Sequence, residues 1–145
     1  MKDVLGAFNQ LQKAYRKYCY QAVAPLGIKM SEMLCVLYLY NFPDEDTAHA
    51  IAQYSQLSAG MVSKSLESLR EAGYICSQKD EQDNRIYHLH LTEKRLRVAQ
   101  SYFISEVAQG ISGEEFRQVA EVAERMLENL AEHPQLGEGA RSKEE

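Results

Sequence analysis

Arg85 is the only basic side chain in the polar stretch from Asp80 to Ile86, which reads DEQDNRI. Asp83 precedes it by two positions. A guanidinium forms strong, directional ion pairs with carboxylates and with phosphates. This spacing predicts that Asp83 stabilises the turn or orients Arg85, and that Arg85 is the group that reaches a larger anion.

Two histidines and a cysteine lie close together in the same region. His88 and His90 share one face of a predicted strand, and Cys76 lies on the strand before it. Zinc takes four ligands, and at least three of them come from the protein even in open sites. The sequence offers no fourth ligand nearby, so we predict no metal at this place.

The sequence gives no support for catalysis. It contains no glycine-rich phosphate loop, no Ser or Cys nucleophile beside a His, and no cluster of carboxylates outside predicted solvated helix faces. We therefore predict that the protein is not an enzyme and requires no cofactor.

Composition predicts a globular protein of the cytoplasm. The chain has 145 residues, of which 45% are hydrophobic and 26% are charged, enough for one domain with a core. No apolar run approaches the roughly 20 residues of a membrane span, and three cysteines without framework spacing indicate reduced thiols. The net charge is −5, with the acidic residues concentrated after residue 97. A local surface for nucleic acid is therefore compatible with the acidic total.

Hydrophobic periodicity predicts a mainly α fold of six helices and one β-hairpin. Proposed N-caps are Thr47, Ser58, Thr92 and Ser112, the last within a capping box with Glu115. Gly73 can adopt the left-handed backbone conformation that often follows the last turn of an α-helix. The final residues, from Gly137, have no apolar anchor, and we expect them to fray. The predicted helices cover residues 3–23, 31–41, 47–54, 58–72, 92–110 and 112–133.

Residues 47–72 have the form of a helix-turn-helix. A helix fits the major groove of DNA, and small residues near its start allow close approach. The apolar residues of the second helix, residues 58–72, face inward. Its first turns are therefore exposed, and we predict that this is the recognition helix. The hairpin of residues 74–91 then forms a wing, whose tip lies over the minor groove or the backbone. The predicted contacts with double-stranded DNA are Thr47, Ser58, Ala59, Gly60, Met61, Ser63, Lys64, Asn84 and Arg85.

The chain resembles the MarR family of winged helix-turn-helix regulators over nearly its whole length. Three segments carry the resemblance: PLGIKMSEMLCVLYLY, LSAGMVSKSLESLREAGYI, and DNRIYHLHLT with its Asp-x-Arg wing signature. The resemblance implies a single domain over residues 1–145, with a DNA-binding lobe over about 31–92 and dimerisation helices over about 3–23 and 93–133. It also implies a homodimeric transcriptional regulator, taken here as a repressor.

The predicted helices over residues 3–23 and 112–133 each carry an apolar stripe. Two such stripes agree with a dimer, because one small domain has little need for both. The predicted interface residues are Val4, Phe8, Leu11, Phe116, Val119, Ala123, Met126, Leu127 and Leu130.

The chain also departs from the family pattern. Many members carry a second Arg beside the signature Arg, where this chain has Asn84, and an Arg early in the first wing strand, where it has Cys76 and Ser77. We therefore expect fewer charged contacts with DNA, and a smaller salt dependence, than in a typical relative.

Three hypotheses about how the protein functions remain open. Family members often bind a small effector between the dimer helices and the DNA-binding lobe, and nine tyrosines suit a phenolic or aromatic one. Some members sense peroxide through a thiol on the first helix, where this chain has Cys19, although a buried core thiol is the common case. A winged helix can also serve protein contact without binding DNA.

Overall fold

The computed structural model describes residues 2–92 and 94–138, so the end of the predicted frayed tail, residues 139–145, lies outside the described residues. Six main helices and one antiparallel hairpin confirm the predicted fold class. A 3₁₀ turn, Ala24–Leu26, and a last short helix are additions to the prediction. In chain order the elements are α1 Lys2–Val23, α2 Met30–Asn41, α3 Ala48–Ser55, α4 Ala59–Glu71, β1 Ile75–Lys79, β2 Tyr87–Leu91, α5 Arg95–Val107, α6 Gly113–Ala131 and α7 Gln135–Glu138.

The core forms around α2, which is apolar on nearly all sides. The C-terminal half of α1 packs against it through Cys19 and Val23, which are fully buried. The N-terminal half of α1 is exposed. The rest of the core comes from the helix-turn-helix, the two strands and the start of α5. Its largest fully buried side chains are Met33, Ile51, Leu69, Leu96, Val23, Val36, Val62, Cys19 and Cys35.

The start of α5 differs from the prediction that Thr92 caps it. The helix begins at Arg95, and the Thr92 hydroxyl donates instead to the carbonyl of Gly73. Thr92 thus closes the base of the hairpin, where its backbone N–H also donates to the Tyr74 carbonyl at 2.9 Å. A tertiary hydrogen bond has replaced the local cap, because a Thr hydroxyl makes either bond readily.

Two polar contacts attach α5 to α2. The Arg97 guanidinium lies 4.5 Å from the centroid of the Tyr40 ring, a cation–π contact. The Gln100 side chain donates to the Asn41 side chain at 2.9 Å. Both contacts join the C-terminal half of α2 to the helix that follows the hairpin.

The chain divides into two compact units, one ending at Ser105 and the next beginning at Glu106. The second unit contains α6, whose start has the predicted capping box: Ser112 accepts from the Glu115 N–H at 3.2 Å, and Glu115 accepts from the Ser112 N–H at 2.8 Å. The single domain predicted over residues 1–145 stays a prediction.

In the part of the chain that the structure describes, no single helix is long and apolar enough to cross a membrane. Residues 3–26 and 30–41 meet that criterion only when counted together, across a bend of 113°. The second of these segments is α2, whose side chains are mostly buried in the protein core.

Candidate nucleic-acid interface

The helix-turn-helix forms as its local sequence dictates. Thr47 and Ser58 cap α3 and α4 through their hydroxyls, which accept backbone N–H groups at 3.2 and 3.1 Å. Between the helices, Gln56 adopts a left-handed conformation with φ 60°. Val62, Leu66 and Leu69 of α4 are buried in the core. The two helices therefore have a fixed orientation, and one face of α4 remains open.

The open face of α4 contains the residues predicted to enter the major groove. The first turns of α4 carry short side chains together with one Met and one Lys. A flat or grooved partner can therefore approach the helix backbone closely. The exposed residues are Ser58, Ala59, Gly60, Met61, Ser63 and Lys64. Thr47, at the start of α3, is half-buried.

A hydrogen-bonded serine pair, buried on the Ser65 side, holds the other side of α4, and sequence reasoning missed it. The hydroxyl of Ser65 donates to that of Ser31 at 3.1 Å, joining α4 to the start of α2. The two residues are 34 positions apart, and Ser65 is 4% exposed. Because a buried hydroxyl needs a partner, this bond helps to set the rotation of α4.

The wing is a two-stranded sheet with one face toward the core. Ile75 pairs with Leu91 and Ser77 with Leu89, and both Ile75 and Leu89 are buried. The Leu89 N–H also donates to the carbonyl of Asp46 at 3.0 Å, which attaches the wing to the segment before α3.

At the wing tip, Asp83 and Arg85 form a forked ion pair. The Arg85 Nε and Nη2 atoms lie 3.1 and 3.2 Å from the two carboxylate oxygens, and the Arg85 backbone N–H donates to the same carboxylate at 3.0 Å. These contacts with Arg85 lower the pKa of Asp83. The Arg85 side chain is 89% exposed, so it is oriented yet accessible to an anion.

A second carboxylate shapes the turn. Asp80 accepts the backbone N–H groups of Gln82 and Asp83 at 2.8 and 2.7 Å. Its other oxygen lies 2.8 Å from Nε2 of His88, and Nδ1 of the same ring lies 2.6 Å from Asp46. The hydrogen bond from His88 is the main reason that the pKa of Asp80 falls to about 2. Sequence reasoning assigned no role to Asp80 or Asp46.

The recognition helix and the wing enclose a groove of about 600 Å³. It brings together three predicted contact residues, Thr47, Ser63 and Arg85, from α3, α4 and the wing. Arg70, which was not among the predicted contact residues, adds a second guanidinium to the lining. The lining also includes the Glu67 carboxylate and apolar side chains such as Leu66 and Ile86. Its hydroxyls and guanidiniums are the groups that suit a phosphate backbone.

Comparison with known proteins agrees with this geometry. Residues 34–94 match the family model described as a winged helix DNA-binding domain. The segment from α2 through the wing therefore has the winged helix fold. No curated protein matches the chain at significant similarity.

Solved structures extend the similarity over nearly the whole chain. A MarR transcriptional regulator from Methanosarcina mazei Go1 is 21% identical, covering 91% of this chain and 99% of its own, with a TM-score of 0.68. A MarR family regulator from Silicibacter pomeroyi is 19% identical, covering 86% and 87%, with a TM-score of 0.68. One from Listeria monocytogenes, complexed with a 26mer DNA, is 16% identical, covering 96% and 97%, with a TM-score of 0.74. These similarities confirm the predicted MarR fold, and the match to a DNA-binding domain agrees with the prediction of a non-enzymatic protein.

The wing of this domain brings Cys76 opposite His90 and Gln78 opposite His88. Both ring nitrogens of His88 lie against carboxylates on opposite sides of the ring, so these groups do not converge on one point. Among the described residues, no three His, Cys, Asp or Glu side chains form a group that could hold a metal ion.

The thiol of Cys19 lies outside the winged helix domain and is fully buried. Burial raises its pKa, and the neighbouring Tyr15 hydroxyl acts in the opposite direction to a smaller extent. In the described part of the chain, that buried hydroxyl has no hydrogen-bond partner of normal geometry. Burial also raises the pKa of Cys35 to about 12. Both environments favour the unreactive thiol form.

The predicted dimer residues are largely exposed within one chain. Val4, Phe8 and Leu11 on α1 are exposed. On α6 the stripe is exposed except at Ala123, which is half-buried, and Leu127 reaches 65% exposure. Its exposed members are Phe116, Val119, Met126, Leu127 and Leu130. A row of exposed large apolar side chains is compatible with an interaction surface, and the dimer interface stays a prediction.

Proposed function

We propose that this protein is a transcriptional repressor of the cytoplasm that binds double-stranded DNA through its winged helix domain. The observation that carries the proposal is the match of residues 34–94 to a winged helix DNA-binding domain. The exposed start of α4 and the oriented Arg85 lie in that segment, and Ser63 of α4 lines one groove together with Arg85.

In this proposal the two elements have different tasks. The N-terminal turns of α4 enter the major groove, where each base pair has a distinct pattern of donors and acceptors. Ser63 and Lys64 reach base edges there. Arg85 lies at the end of the wing, where it contacts phosphates or the minor groove. Asn84 beside it offers a second, uncharged contact.

The repressor acts as a homodimer through the exposed apolar faces of α1 and α6. A two-fold dimer presents two recognition helices about one helical turn apart, some 34–36 Å on DNA. The operator is therefore an imperfect palindrome, with one half-site for each winged helix domain.

A small aromatic or phenolic effector releases the repressor from DNA. An apolar cleft of about 450 Å³ lies between α1 and α5, within the volume range of small-molecule sites. The Tyr18 and Tyr102 rings lie stacked at its edge, with centroids 6.1 Å apart, and Val98 and Ala99 complete the α5 wall. Such walls favour a flat apolar ligand over a sugar or a nucleotide.

Selection of bound fragments from a genomic DNA pool, followed by gel-shift titration, tests the proposal. We expect enrichment of a few palindromic fragments. A protein that enriches no fragment and shifts no duplex at low salt would instead be a winged helix used for protein contact. The peroxide-sensing alternative is tested by replacing Cys19 with Ser.

The effector is tested separately, on the selected duplex. Simple hydroxybenzoates are expected to raise the protein's melting temperature and to release the DNA. Ala22→Trp would fill the cleft from α1 and abolish both effects while DNA binding persists. Release that persists in this variant would show that the effector site lies elsewhere.

A further inference from the structure

The ring of His88 bridges two carboxylates from different parts of the winged helix domain. Nδ1 lies 2.6 Å from Asp46, which comes directly before the cap of α3, and Nε2 lies 2.8 Å from Asp80 at the start of the wing turn. The two Asp side chains are 15% and 27% exposed, which shields these contacts partly from water.

Both contacts require a particular protonation state. A neutral imidazole has one N–H donor and one acceptor nitrogen, whereas an ionised carboxylate only accepts. Asp80 is ionised at neutral pH, because its pKa is lowered to about 2. Only the imidazolium form donates to carboxylates on both sides at once, through charge-assisted hydrogen bonds.

The bridge connects the helix-turn-helix to the residue that reaches DNA. On one side it holds the segment before Thr47, where the Leu89 N–H also bonds to the Asp46 carbonyl. On the other side, Asp80 accepts the backbone N–H of Asp83, and the Asp83 carboxylate holds Arg85. The position of the wing tip therefore depends on contacts that meet at one ring.

We propose that His88 is the positioning residue of the wing, and that it holds Arg85 in place for DNA only while its ring is protonated, so that DNA affinity falls as pH rises. The inference rests on the proposed DNA-binding function and adds its regulation by pH.

The charged groups around His88 set the direction of this dependence. Asp46 faces it from the segment before α3, Lys79 from β1, Asp80 and Glu81 from the turn, and His90 from its own strand. Hydrogen bonds to Asp80 and then Asp46 raise the pKa of His88. The bridge is thus complete below the ordinary His value of about 6.5 and is lost as pH rises through the higher folded-state pKa.

The test is the affinity for the selected genomic duplex, measured by fluorescence anisotropy at constant ionic strength from about pH 5.5 to about pH 8.5. Affinity of the parent should fall about three- to tenfold across this range, since one pKa unit of difference between free and bound protein is a tenfold change. His88→Gln should give a flat profile near the parent's high-pH value.

Two charge-matched variants distinguish positioning from general electrostatics. Asp46→Asn removes a carboxylate that holds the imidazolium, so the midpoint of the profile should move to lower pH. Glu81→Gln removes the same charge from the same surroundings without losing an atom bonded to His88, and it should move the midpoint less. His90→Gln removes the neighbouring ring and should keep the parent profile.

Failure of this inference can be distinguished from failure of the proposed DNA-binding function. If the parent binds the duplex and His88→Gln keeps its pH profile, or if Glu81→Gln and Asp46→Asn shift the midpoint equally, the inference is wrong while the proposed function stands. ¹⁵N NMR of the imidazole rings in the free protein should show both His88 nitrogens still protonated at a pH equal to the ordinary His value of about 6.5. A neutral His88 ring at that pH overturns the inference without DNA. If no duplex binds at any pH, the proposed function fails, and this inference fails with it.

Discussion

The Arg85 guanidinium lies in a two-point ion pair with Asp83, and its side chain is nevertheless 89% exposed. An acidic partner beside a DNA-contacting Arg has opposing effects. The carboxylate repels phosphate. It also restricts the conformations of the long Arg side chain before binding, so that less conformational entropy is lost when DNA binds. Which effect is larger can be measured.

We predict that orientation is the larger effect. Asp83→Asn should weaken DNA binding by about two- to fivefold, the range expected for an exposed ion pair, although it removes a negative charge. The matched control is Glu81→Gln, two positions earlier, which removes the same charge without touching Arg85 and should leave binding unchanged or slightly tighter. Tighter binding by both variants would mean that Asp83 acts only as a repulsive charge. Gel-shift titrations at one salt concentration decide this.

Arg85→Ala should weaken binding to all sequences by a similar factor. The minor groove and the backbone give little sequence information, and one lost phosphate contact lowers the slope of log affinity against log salt by about one. The measurement is a set of titrations at several salt concentrations. Arg85→Lys, which keeps the charge, should retain the slope, and an unchanged slope in the Ala variant would remove Arg85 from the interface.

Replacing Met126 and Leu127 together with Asp should dissociate the protein or unfold it, because both side chains are exposed in one chain and we place them at the dimer interface. Size-exclusion chromatography with light scattering gives the mass, and circular dichroism reports folding. Gln118→Asp, at an exposed polar position of the same helix, should remain dimeric. A parent protein that is a folded monomer and still binds DNA would contradict the proposed interface.

Cys19→Ser should leave DNA binding and its response to peroxide as they are in the parent, because the Cys19 thiol is fully buried and its pKa is raised. Anisotropy of the DNA complex before and after peroxide treatment reports this, and Cys76→Ser, at an exposed thiol, serves as the control. The redox alternative becomes correct if peroxide releases DNA from the parent and the Cys19 variant resists.

The local features of the fold could be predicted from sequence. The caps at Thr47, Ser58 and Ser112 and the left-handed Gly73 depend only on neighbouring residues, and the structure has all four. The inward face of α4 follows from a spacing of three and four residues. These signals are complete within a few positions of the chain, which is why a single sequence contains them.

The polar contacts that set the geometry of the site could not be predicted in this way. Ser31 and Ser65 are 34 positions apart, and Asp46 and His88 are 42 apart. No periodicity relates such pairs, because their meeting depends on how whole elements pack. Thr92 is a further example. Its local sequence predicted a helix cap, but its hydroxyl bonds to the carbonyl of Gly73, which is 19 positions away.

The most direct test of the proposed function is whether the recognition helix, and not the wing, determines the DNA sequence preference. Ser63→Ala, Lys64→Ala and Arg85→Ala are each titrated against the selected operator and a set of its single-base variants. We expect the two α4 variants to change the ranking of operators, by about 1–3 kcal/mol for a good base contact, and Arg85→Ala to lower all affinities together. A ranking that changes with Arg85→Ala and stays intact with both α4 variants would contradict the assignment of these two elements.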